Sequence, residues 1–444
     1  MQETKYLAAI IGAGPAGLFA ARYLSSNGVR VVMFNRDIKP GGLAEYGIYP
    51  DKIKMKEGLR KQFHQILDSP LIDYYGNVTV CCGGNIVFSD LFDWGFQVVV
   101  IATGAQGTKW LRMPGENLPG VYHAKDIVYH YNLLPPFSQR RFVIGRNVIV
   151  VGAGNVMMDL AHYLVHEKKV DEVTAVVRRG PADVKFTRKE MENVVGNLDL
   201  KALDAEFERV APHMQAVGQD VVAAKNAFLE AFPKASERVS DTRLRFEFLA
   251  SPVRILGSWT TGVSALKIED NHLVTVDGSV KAQGSGITRQ IEADTIIFAI
   301  GDTVDKDFCM PINGDAYVVV KEPRFPVNDI SYEAFDVDAN CPMEKVFLAG
   351  WARQASTGLV GVARKDGENA AQAVQQYLQT QPPMMDNENV YLKFADWLQD
   401  IHPLAVTKRW LARLEATEQA EAQIRHLEYF KFATNDEMLR AMGL

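Results

Sequence analysis

The stretch that decides the fold is Gly12-Ala13-Gly14-Pro15-Ala16-Gly17, a G-x-G-x-x-G pattern near the start of the chain. Apolar residues 7–11 precede it and predict a strand, residues 15–27 have a helical pattern, and residues 29–34 predict a second strand. A strand, a glycine turn, a helix and a strand within about thirty residues are typical of a βαβ unit. The sequence therefore predicts a parallel sheet that begins with this segment.

Each glycine of this stretch has its own steric reason. Gly12 permits a tight turn, Gly14 lets the backbone approach a pyrophosphate, and Gly17 lets the helix pack closely on the strand. The phosphates of a bound dinucleotide would then lie at the positive end of the helix. The second strand ends at Asn35, where an acidic residue ordinarily binds the ribose hydroxyls. An amide still hydrogen-bonds a hydroxyl, although without the charge that strengthens the bond; the alternative is that Asn35 simply ends the strand.

The same pattern recurs in the middle of the chain. Residues 147–151 predict a strand, Gly152-Ala153-Gly154 a turn, residues 156–167 a helix and residues 173–177 the next strand. Each half also contains a later apolar strand that ends beside glycine, at residues 98–102 and 295–300. We therefore expect an α/β protein with two Rossmann-like nucleotide-binding domains.

Two arginines, Arg178 and Arg179, stand at the end of the strand that follows the second glycine turn. A residue at this position faces the adenosine ribose of a bound dinucleotide. A carboxylate there favours NAD, whereas arginine favours the 2′-phosphate of NADP through charge-assisted, bidentate hydrogen bonds. The pair predicts an NADP(H) site, and a solvated basic turn is the alternative.

Composition limits the remaining function classes. A chain of 444 residues suits two or three domains, and its net charge of −6 argues against nucleic acid as the main partner. No apolar run approaches the roughly 18 residues that cross a membrane, and no leader pattern opens the chain, so we expect a cytoplasmic protein without membrane insertion. Four scattered cysteines predict neither a disulfide framework nor a zinc site, and His162 with His166 lacks the glutamate of a zincin, so we expect no metal.

Several stretches taken together are specific to one family. They are Gly12 to Gly17, Gly41-Gly42-Leu43, Tyr75-Gly76-Asn77-Val78, Ala102-Thr103-Gly104-Ala105-Gln106, Met113-Pro114-Gly115-Glu116, Gly154-Asn155-Val156, Arg178-Arg179-Gly180-Pro181, Phe186-Thr187 with Lys189-Glu190, Gly350-Trp351, Thr357-Gly358 and Glu437-Met438-Leu439-Arg440. Over nearly its whole length the chain resembles the adrenodoxin-reductase-type ferredoxin–NADP reductases.

This resemblance implies an FAD domain that is split in sequence, over residues 1–105 and 308–444, with residues 385–444 as a C-terminal helical extension. An NADP domain over residues 106–307 is inserted between the two parts. The residues expected to contact FAD are Gly12, Gly14, Ala16, Gly17, Asn35, Gly42, Leu43, Ile86, Ala102, Thr103, Gly104, Gly350, Trp351, Gly358, Leu359 and Val360. Those expected to contact NADP(H) are Gly152, Gly154, Asn155, Val156, Arg178, Arg179 and Glu190.

The implied activity is hydride transfer between NADPH and FAD, followed by single electrons to or from a ferredoxin-like carrier. We expect Gly358 to permit close approach of the nicotinamide to the flavin, with the helix that starts there pointing its positive end at the flavin. We expect Trp351 to pack on the isoalloxazine, and a plain core tryptophan is the alternative. These two residues are the predicted catalytic residues.

The identity of the carrier is less well specified than the cofactors. Glu192 stands where related enzymes carry an arginine that docks an acidic ferredoxin, and Gln354-Ala355-Ser356 replaces an Arg-Gly-Pro run. Without C-x-x-C or a cysteine cluster, the sequence favours an external one-electron carrier over an internal disulfide or iron–sulfur centre. The alternatives are an electron-input subunit resembling the glutamate synthase small subunit, a direct reductase of a quinone or other small oxidant, and an NADP-sensing module without turnover.

Overall fold

Two parallel sheets organise residues 4–444, the part of the chain that the computed structural model describes. In chain order the strands are β1 (Tyr6–Ile11), β2 (Val29–Asn35), β3 (Ile72–Gly76), β4 (Val98–Ile101), β5 (Gly107–Thr108), β6 (Val121–His123), β7 (Asn147–Val151), β8 (Glu172–Val176), β9 (Arg243–Glu247), β10 (Ala250–Ser258), β11 (Gly262–Val276), β12 (Ser279–Glu292), β13 (Thr295–Phe298), β14 (Asp302–Thr303), β15 (Ile312–Asn313), β16 (Ala316–Tyr317), β17 (Glu333–Asp336) and β18 (Cys341–Leu348).

The α-helices follow the same numbering. They are α1 (Pro15–Ser26), α2 (Leu43–Tyr46), α3 (Ile53–Leu67), α4 (Asp90–Asp93), α5 (Ala124–Tyr131), α6 (Asn155–Tyr163), α7 (Arg188–Glu192), α8 (Leu200–Ala216), α9 (Val221–Leu229), α10 (Val360–Leu378), α11 (Asn387–Ile401), α12 (Lys408–Ile424) and α13 (Asn435–Met442). A π-helical turn, Leu164–Lys168, extends α6 and ends at Lys169 in the left-handed region.

The first structural unit contains the described residues up to Thr108, Tyr129–Gln139 and Gly301–Leu444. Its sheet has the strand order β17-β18-β4-β1-β2-β3, in which β17 is antiparallel and the other strands are parallel. Alternate residues of β1 enter different cores, with Ala8 and Ile10 on the side of α1 and α10. Leu7 and Ala9 lie on the opposite side with α11. The sheet is therefore covered on both faces, which explains the uninterrupted apolar strands.

The second unit contains Lys109–Val128 and Arg140–Ile300. Its parallel sheet has the order β6-β13-β7-β8-β9, and β10, β11 and β12 form a separate antiparallel sheet. Residues of β7 and β13 share a core with Leu266 and Ile268 of β11, so that the antiparallel sheet covers part of the parallel one. The α/β class and the parallel sheets expected from the sequence are confirmed.

The two structural units begin and end a few residues away from the predicted domain boundaries at residues 105 and 307, and one segment belongs to a different unit than predicted. Tyr129–Gln139, which was expected inside a continuous insertion, belongs to the first unit. The reason is local packing, since Tyr129 and Leu134 are buried with Tyr46. In addition, the Ser138 hydroxyl donates a hydrogen bond to the carbonyl of Ala433 at 2.5 Å. Which cofactor belongs to which unit stays a prediction at this point.

The C-terminal helices pack on the outside of the first sheet. Phe394 and Leu398 of α11 enter the core on one face, whereas Leu411 and Leu414 of α12 enter the core on the other. The scattered cysteines are closer than their spacing suggested, because Cys82 and Cys309, 227 positions apart, form a disulfide with their Cα atoms 6.3 Å apart. The scattered spacing, which predicted no disulfide framework, did not reveal this one pair; Cys81 and Cys341 are free.

Within residues 4–444, no helix has the length and apolar character needed to span a membrane. The same residues contain no group of three His, Cys, Asp or Glu side chains positioned to hold a metal ion.

Candidate nucleotide-binding sites

The turn between β1 and α1 has no room for side chains at Gly12 and Gly17 but borders free space at Gly14. Gly12 has φ +104°, and a Cβ there would lie 2.5 Å from the carbonyl oxygen of Ala102. A Cβ on Gly17 would lie 2.0 Å from the carbonyl oxygen of Gly12. A Cβ on Gly14, in contrast, would meet nothing within 4 Å. The backbone of Gly14 therefore faces the free space that a pyrophosphate needs at the first turn of α1.

Two later glycines lie against the same turn. Gly42, at the start of α2, has φ +50°, and its Cβ would lie 3.1 Å from the Cα of Gly14. Gly350, just after β18, has φ +66°, and its Cβ would lie 2.6 Å from the Cβ of Ala16. The structure therefore brings three predicted segments of the first unit together at the carboxyl end of β1.

Asn35 ends β2 inside this arrangement and is buried. Its side-chain oxygen accepts a hydrogen bond from the backbone N–H of Ala13 at 3.0 Å, and its amide nitrogen donates to the carbonyls of Asp37 and Lys39. The side chain thus holds the glycine turn to the loop after β2. One lone pair of the amide oxygen is left for a ribose hydroxyl, and the predicted ribose contact stays a prediction.

Ala102, Thr103, Gly104 and Leu43 lie near this turn, whereas Ile86 is buried in a separate loop of the same unit. Ala102 follows β4 and donates its N–H to the carbonyl of Ile11 at 2.8 Å, and Gly104 has φ +71°. Ile86 is 1% exposed within the core, and its backbone N–H and C=O both bond to residues of its own loop. The predicted contact of Ile86 with FAD stays a prediction.

The segment between β18 and α10 also borders the first glycine turn, since Gly350 lies against Ala16. The indole N–H of Trp351 donates to the carbonyl of Thr357 at 2.9 Å, which fixes the loop ahead of the helix. Gly358 has φ +76°, and a Cβ there would lie 2.5 Å from the Cβ of Val362, so glycine is required by the loop itself. The helix begins at Val360, two residues later than predicted, and Leu359 is 67% exposed. The predicted catalytic roles of Trp351 and Gly358 stay predictions.

Asp366 on α10 is a supporting residue that the sequence did not reveal. Its carboxylate accepts a hydrogen bond from the backbone N–H of Gly350 at 2.6 Å and is ion-paired with Arg353. The guanidinium of Arg353 also lies over the ring of Tyr332, 4.6 Å from its centroid. Asp366, Arg353 and Tyr332 lie more than 300 positions after the Gly12 to Gly17 turn. Only the fold shows that they hold Gly350 in place.

Tyr129 is a second supporting residue of the first unit. Its hydroxyl donates to the side-chain oxygen of Gln106 at 3.2 Å, and Arg36 donates to the same oxygen at 3.3 Å. Burial raises the pKa of Tyr129 well above its ordinary value, and the charges of Asp302 and Asp37 add to the effect. The hydroxyl therefore keeps its proton and acts as a donor at every physiological pH.

The turn between β7 and α6 repeats this arrangement in the second unit. A Cβ on Gly152 would lie 2.3 Å from the carbonyl oxygen of Ala299, whereas a Cβ on Gly154 would meet nothing within 4 Å. The side-chain oxygen of Asn155 accepts from the backbone N–H of Thr187 at 2.9 Å. Val156, in the first turn of α6, is 45% exposed. The open backbone at Gly154 again suits a pyrophosphate.

Arg178 and Arg179 follow β8, whose register places Val176 beside Val151 at the end of β7. Both arginine side chains are exposed. Neither forms an ion pair with a carboxylate among residues 4–444. Two unpaired guanidinium groups next to an open glycine turn are suited to bind a second phosphate.

The short helix α7 carries the last two predicted positions. Glu190 lies in its first turn and donates its backbone N–H to the carbonyl of Thr187 at 3.1 Å. Glu192 is only partly exposed, and its carboxylate lies 3.4 Å from the guanidinium of Arg188. The acidic residue that replaces a docking arginine is therefore partly neutralised within its own helix.

The residues present fit two bound dinucleotides. Each unit has a glycine turn at a helix N-terminus whose middle glycine is open and whose first glycine has no room for a side chain. The end of the following strand differs between the units. In the second, Arg178 and Arg179 are exposed and have no carboxylate partner among residues 4–444, whereas in the first the buried Asn35 ends the strand and the exposed Arg36 after it is ion-paired with Asp37. The fold and these sites define a protein with two distinct dinucleotide sites.

Comparison with known proteins gives the family. The model of the pyridine nucleotide-disulphide oxidoreductases matches residues 6–367, and the chain belongs to this family. It is 27% identical over 467 residues to the NADPH-ferredoxin reductase FprA of Mycobacterium leprae, covering 97% of each chain. It is 26% identical over 403 residues to the mitochondrial NADPH:adrenodoxin oxidoreductase of Salvelinus fontinalis, covering 83% of this chain and 77% of the relative.

A solved structure agrees with these relatives. A variant of FprA from Mycobacterium tuberculosis superposes with a TM-score of 0.80 at 25% identity, covering 99% of this chain and all of that one. The resemblance inferred from the sequence is thereby confirmed, and the protein is an oxidoreductase of this type.

Proposed function

We propose that the first unit binds FAD, that the second binds NADPH, and that electrons pass from NADPH through the flavin to a ferredoxin-like one-electron carrier. The observation that carries the proposal is the pair of exposed, unpaired arginines, Arg178 and Arg179, beside the open turn at Gly154. A coenzyme with a 2′-phosphate satisfies both guanidinium groups, whereas NADH leaves them in water.

When bound, FAD supplies the capacity to take up a hydride and to give up electrons one at a time. The chain supplies binding and orientation. In the first unit, Gly14 leaves space for the pyrophosphate at the positive end of α1, and Asn35 fixes the turn from behind. Asp366 and Arg353 hold the Gly350 turn, and the Trp351 bond to Thr357 fixes the loop before α10. These contacts keep the cofactor's surroundings in one geometry, which is what efficient transfer requires.

The carrier class rests on the relatives, which are named NADPH-ferredoxin reductase and NADPH:adrenodoxin oxidoreductase. The ion pair of Glu192 with Arg188 reduces the repulsion that a lone carboxylate would exert on an acidic carrier, an effect of about 1 kcal/mol or less at an exposed site. The departure at Glu192 is therefore compatible with a ferredoxin-like partner. A cytoplasmic location, expected from the sequence, completes the proposal.

The proposal is tested by NADPH-dependent reduction of cytochrome c with the purified flavoprotein, with and without added ferredoxin. We expect a yellow protein that bleaches with NADPH and a rate that rises strongly when ferredoxin is present. NADH at the same concentration is the matched control. A rate that ferredoxin does not change, together with fast reduction of quinones, would replace the carrier with a small oxidant.

A further inference from the structure

A group of buried and half-buried charged side chains lies in the first unit where α2, α3 and the C-terminal segment meet. We call it the basic cluster; its members are Lys39, Glu45, Lys56, Arg60, Glu418 and Lys431. Lys431 donates to Glu45 at 2.7 Å, and Arg60 binds the same carboxylate with two hydrogen bonds of 2.7 and 3.0 Å. Lys39 is ion-paired with Glu418. The cluster therefore joins residues nearly four hundred positions apart.

The cations in this cluster outnumber the carboxylates. Four cations face two carboxylates, which leaves a net charge of +2 when every group is ionised. Among residues 4–444, Lys56 is the member of the cluster without a carboxylate partner, since its ammonium group donates only to the side-chain oxygen of Asn132 at 2.7 Å and the carbonyl of Ile48 at 3.4 Å. A buried charge without an opposite charge destabilises the folded protein, so the cluster favours a bound anion.

Lys56, Arg60 and Lys431 each have N–H groups that donate to no acceptor among residues 4–444. Lys56 uses two of its three N–H bonds, and Lys431 uses two, on Glu45 and on the carbonyl of Asn132. The Nη1 group of Arg60 has no acceptor among residues 4–444. An ammonium group has three N–H donors and a guanidinium five. Four N–H bonds are therefore available to a ligand.

These side chains line one cavity of about 110 Å³. Its lining residues are Pro50, Ile53, Lys56, Arg60, Tyr131, Asn132, Leu133, Tyr429 and Lys431. A tetrahedral oxyanion occupies roughly the volume of two water molecules at about 30 Å³ each, so it fits the cavity. No carboxylate is among the lining residues, and the Tyr429 hydroxyl is already the acceptor of an Arg60 donor at 2.7 Å.

We infer that this cavity is a binding site for a small oxyanion of the size and charge of sulfate or phosphate, held by Lys56, Arg60 and Lys431. No residue of either glycine turn lines the cavity, and the inference does not depend on the coenzyme assignment. Because its walls come from α3, from the segment after α5 and from the C-terminal residues, a bound anion links the C-terminal segment to the rest of the first unit.

The charge environment of the two lysines supports the site. Burial lowers the pKa of Lys56 to about 8 and that of Lys431 to about 7, although Glu45 opposes both shifts. The titratable and charged groups facing them are Lys39, Glu45, Tyr46, Arg60, Tyr131, Glu418 and Tyr429. An anion favours the protonated lysines, so binding of a dianion of fixed charge is expected to weaken as the pH rises from about 6 to about 9.

Sulfate is the probe, because its charge is constant over this range. Its binding to the purified flavin-containing protein is measured by calorimetry and by thermal unfolding at constant ionic strength, with NADP⁺ present to fill the nucleotide site. The variant is Lys56→Gln, and Lys54→Gln, an exposed lysine on the same helix, is the matched control. Loss of one charge-assisted hydrogen bond predicts a sulfate Kd that rises about tenfold or more in Lys56→Gln and is unchanged in Lys54→Gln.

Lys56→Gln also has a signature that a merely structural lysine would not show. Without sulfate near pH 6 the variant is expected to melt at a higher temperature than the parent, because it removes an uncompensated buried charge. With sulfate this difference is expected to shrink or reverse. Equal sulfate affinity in the parent and in Lys56→Gln would overturn the inference, as would an absence of saturable sulfate binding near pH 6. If Lys56→Gln does not fold, Lys56→Met is measured by the same criteria.

Discussion

Removing both guanidinium groups at the end of β8 tests the coenzyme assignment directly. In the double variant Arg178→Ala with Arg179→Ala, NADPH is expected to lose two charge-assisted hydrogen bonds to its 2′-phosphate. Each contributes about 1.5 kcal/mol, the low end of the usual range, because both side chains are exposed. About 3 kcal/mol in total corresponds to roughly a hundredfold weaker NADPH binding. NADH lacks the phosphate and is expected to change by less than about threefold.

The same variant is expected to fold normally. Neither arginine is ion-paired with a carboxylate of residues 4–444, so their removal leaves no unpaired acid behind. Surface substitutions of this kind change the free energy of unfolding by about 0.5 kcal/mol or less. The thermal midpoint of the double variant therefore serves as an internal check that the loss concerns the coenzyme and not the fold.

The assay is stopped-flow reduction of the bound flavin at a series of NADPH and NADH concentrations, which separates the dissociation constant from the transfer rate. Arg254→Ala, an exposed arginine on β10 of the same unit, controls for the loss of positive charge in general. If the dissociation constants of NADPH and NADH rise by the same factor in the double variant, the arginines do not bind the 2′-phosphate, and the assignment of NADPH as the coenzyme is wrong.

Two further outcomes are expected. Gly17→Ala places a Cβ 2.0 Å from the carbonyl oxygen of Gly12 and is expected to lower the free energy of unfolding by about 2 kcal/mol or more, measured by denaturant unfolding. Gly14→Ala places its Cβ in open space, so the variant is expected to fold and to raise the Kd of FAD about tenfold or more, measured by flavin fluorescence. Equal stability and equal FAD affinity in the two variants would contradict the reasoning. Because burial lowers the pKa of Lys431 from 10.5 to about 7, the unfolded chain binds more protons between these values, so stability should rise with pH across this window and rise less in Lys431→Met.

The parts of the fold that the sequence predicted are those set by neighbouring residues. The strand, turn and helix around Gly12 to Gly17 were placed within one or two residues, as β1 and α1 show. The second repeat was placed equally well, apart from the π-helical end of α6. Hydrophobic period and glycine position are local signals, and a parallel strand buried on both faces has a distinct composition.

The parts that the sequence did not predict depend on long-range contacts. Asp366 supports Gly350 from the next helix, Cys82 meets Cys309 across 227 positions, and the basic cluster joins Glu45 to Lys431. In the sequence alone, each of these residues has an ordinary local explanation as a surface charge or an isolated thiol. Only the fold gives their burial and partners, which are what distinguish a supporting residue from a solvated one.

The two glycine turns also show why a departure from a motif does not always change function. In the first turn the third position, Gly17, is required because the helix backs onto the Gly12 carbonyl. In the second turn that position is Met157, which is fully buried and packs without disturbing the open space at Gly154. The third glycine therefore serves packing between helix and strand, whereas the middle glycine serves the ligand. Replacement of the third is tolerated where the local core accepts a side chain, and the proposed pyrophosphate site keeps its tight turn at Gly152 and its open backbone at Gly154.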